Sequence, residues 1–70
     1  MKNNVIPRKF YSITVKMLID TSETEINDII HIVKNDFGYL GYNKRTNKYF
    51  YVFVSMLRNI NCCELVEVIK

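Results

Sequence analysis

The stretch Lys48-Tyr49-Phe50-Tyr51-Val52-Phe53-Val54-Ser55-Met56-Leu57 constrains the fold more than any other part of the chain. Its aromatic and β-branched side chains read as a strand. Successive strand side chains point to opposite faces, so Phe50, Val52, Val54 and Met56 share one face while Tyr49, Tyr51, Phe53 and Ser55 share the other. Apolar on both faces, the run is expected to be the central strand of a small sheet. Each face then needs a cover, and what shields or uses the second face becomes the functional question.

The segments around it supply candidate covers. From Phe10 to Ile19 the odd positions Tyr11, Ile13, Val15, Met17 and Ile19 are apolar and Ser12, Thr14 and Lys16 between them are polar. This period-two alternation predicts a strand with one buried and one wet face. Ser22 followed by Glu25 matches a capping box, and Ile26, Ile29, Ile30, Val33 and Phe37 fall on one helical stripe,. With Gly38 as a C-terminal cap, the spacing predicts an amphipathic helix over about 22–37, leaving Ile32 off the stripe. Residues 38–57 then form a β-hairpin whose turn, Asn43-Lys44-Arg45-Thr46-Asn47-Lys48, is basic, with Asn47 suited to positive φ,. Pairing Asn43 with Lys48 sets Leu40 and Tyr42 across from Tyr51 and Tyr49. The tail combines a capping pattern at Ile60, Asn61 and Glu64 with the β-branched run Leu65-Val66-Glu67-Val68-Ile69, and the strand reading is preferred.

The expected fold class is therefore α+β: a three- to four-stranded, mostly antiparallel sheet in β-α-β-β-β order, with one amphipathic helix packed on one face. Residues 1–70 form a single small domain, with 1–8 a flexible basic arm. A chain this short buries only about 60% of the surface it exposes when unfolded. That leaves no room for a deep catalytic cleft and favours an added stabiliser such as a homodimer interface.

Net charge is +3, and it is unevenly distributed. Lys2, Arg8, Lys9 and Lys16 precede any acid; Asp20, Glu23, Glu25, Asp28 and Asp36 dominate the middle; Lys44, Arg45, Lys48 and Arg58 follow without an acid before Glu64. The expected helix is the acidic side and the sheet the basic side. Cys62 and Cys63 are adjacent, a spacing unsuited to an ordinary disulfide or to a zinc site. Reduced thiols, no charged-then-apolar leader and no apolar run near about 20 residues together give a cytoplasmic, non-membrane expectation.

Chemistry-bearing patterns are sparse. His31 is the single histidine, Gly38 and Gly41 are the two glycines, and the carboxylates read as caps and solvated face. No nucleophile–base pair, phosphate loop or metal set emerges, so the expectation is a protein that is not an enzyme, with no cofactor and no metal. The candidate binding residues are Tyr42, Tyr49, Tyr51 and Phe53 as anchors, with Lys44, Arg45 and Lys48 as electrostatic guides. Tyrosine and arginine are common interface anchors.

The functional expectation is a small protein-interaction module, an inhibitor or regulator that occludes a host protein such as a nucleic-acid-handling defence factor. The absence of Ala, Gln and Trp beside abundant Asn, Lys and Ile suggests an AT-rich phage or mobile-element source. The alternative is a nucleic-acid-binding protein that stacks bases on an aromatic, basic sheet face.

Overall fold

The computed structural model describes residues 10–69; the expected arm at 1–8 lies outside them. Five strands, β1 (Ser12–Met17), β2 (Ile29–Asn35), β3 (Gly38–Asn43), β4 (Lys48–Val52) and β5 (Cys63–Ile69), form one sheet in the order β4-β3-β2-β1-β5. Every neighbouring pair is antiparallel. A single helical turn, α1 (Val54–Leu57), links β4 to the segment that leads into β5.

The expected α+β fold with an amphipathic helix over about 22–37 is thus corrected to a five-stranded antiparallel sheet with one short helix. Residues 29–35 of that stretch are β2, the middle strand. Ile29, Ile30, Ile32 and Val33 are β-branched and lose side-chain freedom in a helix while fitting a pleated surface. Ile30 and Ile32 are both buried, a period of two that the helical reading missed because it left Ile32 off the stripe.

Upstream, local side chains claim the amides a helix would need. Thr21 Oγ1 accepts from the Glu23 and Thr24 amides, Asp20 Oδ1 from that of Ile26, and Asp28 Oδ2 from that of Glu25. Asn27 has φ 76° and turns the chain into β2. Gly38, the expected helix cap, sits instead at the tight β2–β3 turn with φ 137°, a conformation that glycine adopts without steric cost.

The 48–57 run is also corrected. Its strand ends at Val52, and β4 lies at an edge of the sheet, with β3 as its one neighbour. Phe50 and Val52 face the core, and the chain then turns through α1 so that Met56 and Leu57 return to the same core. The buried cluster is Ile13, Val15, Met17, Ile30, Ile32, Val52, Leu57 and Cys63, all on one side of the sheet. Gly41 in β3 makes this packing possible: a Cβ there would lie 2.8 Å from Val52 Cγ2 and 3.1 Å from Ile30 Cγ2. The tail pairs as β5 against β1, with a register shift that leaves Val66 bulged between Leu65 and Glu67,.

Candidate functional site: the open sheet face

Strand registers assemble the second face row by row. Tyr49 stands opposite Tyr42, Tyr42 opposite His31, His31 opposite Thr14, and Thr14 opposite Glu67. The adjacent row runs Tyr51, Leu40, Val33, Ser12 and Ile69. Tyr49 is 68% exposed, Tyr51 55% and Val33 40%. α1 packs on the other side, and among the described residues no element covers this face.

Two neighbours orient the Tyr42 ring. The Tyr42 and Tyr49 rings lie 4.9 Å apart at 49°, a tilted arrangement favoured by the ring quadrupoles. Tyr42 donates its hydroxyl hydrogen to Asn47 Oδ1. Asn47 itself has φ 60°, so the hairpin turn that sets the register also steers the ring. His31 Nδ1 and Thr14 Oγ1 share a 3.0 Å hydrogen bond in the middle of the face.

Of the residues singled out from sequence, Tyr42, Tyr49 and Tyr51 come together here in the register expected from the Asn43–Lys48 pairing. Ser12, Thr14 and Lys16 share the face, separated from the tyrosines by β2. Phe53 lies past the end of β4, where it precedes α1 and is 79% exposed. With Phe37, Tyr39, Tyr51 and Val54 it lines a separate hollow of about 330 Å³ at the end of the sheet.

Arg45 and Lys48 do not flank the tyrosines. Arg45 donates from Nε to Asp28 Oδ1 at 2.7 Å and from Nη2 to Asp28 Oδ2 at 3.1 Å, and lies 3.5 Å from Glu25. Lys48 pairs with Asn43, whose side chain is fully buried, and lines a polar hollow with Thr21–Glu25. Lys44 sits in the hairpin turn, its amide on the Ile29 carbonyl at 3.4 Å. Lys16 reaches the open face and lies 3.6 Å from Glu64.

His31 and Val33 belong to this site and were not among the binding residues expected from sequence; Leu40 joins them from β3, in the register the hairpin reading gave it. The signal for His31 and Val33 was the alternation of Ile29, His31 and Val33 with Ile30 and Ile32, visible once 29–35 is read at period two.

Titrations are perturbed away from the face. Hydrogen bonds from Arg45, then from the Glu25 amide, hold the Asp28 carboxyl well below the usual carboxylate range, against the opposing effect of burial,. The same pairing raises Arg45. Burial, with a smaller contribution from Cys62, pushes the Cys63 thiol up to about 11, which disfavours the reactive thiolate. Among the described residues, no group of three or more His, Cys, Asp or Glu is placed to hold a metal ion, and no helix is long and apolar enough to cross a membrane.

No family model, curated protein or solved structure matches this chain.

Proposed function

We propose that this chain is a non-catalytic docking module, an inhibitor or regulator that acts by laying the open face of its sheet against a protein partner. The observation that carries the reading is the pair of rows around Tyr49, Tyr42, Val33 and Tyr51, uncovered among the described residues, with Tyr49 68% exposed on a five-stranded support. Contiguous exposed apolar surface marks interaction sites. Tyrosine offers large contact area with few rotatable bonds to immobilise.

Charge favours a protein over a nucleic acid as the partner. Glu64 and Glu67 stand on the β5 side of the same face, Lys16 lies beside Glu64, and Arg45 is committed to Asp28. A phosphate backbone would meet acids where it needs unpaired cations.

The test is capture from a host-cell lysate on tagged chain, with and without exhaustive nuclease treatment. Bound protein is identified by mass spectrometry and bound nucleic acid by end-labelling. One discrete protein that survives nuclease supports docking. Capture that disappears with nuclease, leaving labelled RNA or DNA in the untreated sample, replaces it with the nucleic-acid reading.

A further inference from the structure

The two edges of the sheet are treated differently. β5 carries Glu64 and Glu67 and a bulge at Val66, devices that discourage pairing with another strand. β4 reads Lys48-Tyr49-Phe50-Tyr51-Val52, with no proline, no bulge and one charge at its end. Among the described residues, no hydrogen bond reaches the rim of β4 that points away from β3.

We propose that β4 pairs antiparallel with β4 of a second copy, about a two-fold axis through Phe50, joining two sheets into one. The strand is self-complementary in this register. Tyr49 of one copy stands opposite Tyr51 of the other, and Lys48 stands opposite Val52, so no like charges meet across the seam. Aromatic pairs are among the favourable cross-strand neighbours.

The guarded β5 edge explains why pairing stops at two. An isologous contact uses the same edge on both copies, and each copy has one such edge open. The inference goes beyond the docking reading and uses a different surface, the strand rim. Its consequence for that reading is geometric: the tyrosine rows of two copies become one continuous band.

The experiment is sedimentation equilibrium of the full chain, with far-UV circular dichroism as the check on folding. The wild type is expected at twice the 8.3 kDa chain mass. Tyr49→Lys with Tyr51→Lys sets cation against cation at two places in the seam, and is expected to give a folded monomer. Tyr49→Lys with Tyr51→Glu sets cation against anion at the same places, and is expected to restore the dimer. Should the first variant fail to fold, the second decides: dimeric supports the pairing, folded and monomeric overturns it. A wild type that stays monomeric at its highest attainable concentration, or a double-lysine variant that stays dimeric, also overturns it. Val33→Glu, in the middle of the face and away from the rim, should leave the dimer intact, so the failure of docking and the failure of pairing are read separately.

Discussion

Asp28 and Arg45 meet in a two-point ion pair, Nε to Oδ1 at 2.7 Å and Nη2 to Oδ2 at 3.1 Å. The pair ties the loop before β2 to the β3–β4 hairpin turn. Asn43 completes the knot: its Nδ2 donates to Asp28 Oδ2 at 2.9 Å and to the Glu23 carbonyl at 3.1 Å, while its Oδ1 accepts from the Arg45 amide. A buried carboxylate is tolerable because each oxygen has a donor.

This knot predicts acid sensitivity. The Asp28 pKa is lowered in the folded chain, so the unfolded chain binds that proton more readily. Its contribution is therefore fully present above the unfolded carboxylate value, about 4, and is lost as pH falls below it toward the folded value. Urea titrations across the acid range should show stability falling below about pH 4, with Asp28→Asn flattening that dependence and lowering stability at neutral pH. An unchanged pH profile in Asp28→Asn would place the acid sensitivity elsewhere.

Gly41→Ala should destabilise the chain by about 1–3 kcal/mol, the usual cost of overpacking a filled core. The added methyl would meet Val52 Cγ2 at 2.8 Å and Ile30 Cγ2 at 3.1 Å. Denaturant unfolding measures it, and a neutral substitution would mean that β4 can shift away from β3.

Ile32→Ala and Phe37→Ala separate the strand from the helix that the spacing of apolar residues predicts over this segment. In the sheet Ile32 is fully buried and Phe37 is 86% exposed, so the first should cost about 2–5 kcal/mol and the second less than about 0.5. A helical stripe through Ile29, Val33 and Phe37 requires the opposite ranking.

How much of this was legible in the sequence depends on how many readings each pattern allows. β1 was legible because Ile13, Val15 and Met17 alternate with Ser12, Thr14 and Lys16, and no helical stripe fits them. The β3–β4 register was legible because the turn residues bracket the Asn43–Lys48 pair and Asn47 can take positive φ. Those two readings brought Tyr42, Tyr49 and Tyr51 onto one face.

The stretch 22–37 allows two periods at once. Ile26, Ile29, Ile30, Val33 and Phe37 satisfy a helix, while Ile30 and Ile32 satisfy a strand. The decision rests on hydrogen bonds made by Asp20, Thr21 and Asp28 to nearby amides, and on the distant Arg45, whose pairing with Asp28 local spacing does not reveal. Misplacing β2 also hid His31 and Val33, the middle of the open face. The two-sided apolarity of 48–57 suggested a central strand, whereas β4 lies at the edge and its last apolar residues turn into α1.

Thiol chemistry gives a further prediction. With its thiol buried and pushed up to about 11, Cys63 should resist a thiol-specific reagent at neutral pH in the folded chain and react on unfolding. Labelling followed by peptide mass mapping checks this. Rapid native labelling at Cys63 would mean that the contact between Leu57 and the sheet opens readily.

The most direct test of the docking face is capture by Val33→Glu beside the wild type, with thermal unfolding measured on both. Val33 lies on the middle strand, flanked by Ser12 and Leu40, and its exposure lets a charge be solvated without disturbing the core. The expected result is loss of the nuclease-resistant protein partner with an unfolding midpoint close to that of the wild type. Undiminished capture by folded Val33→Glu would contradict docking through this face.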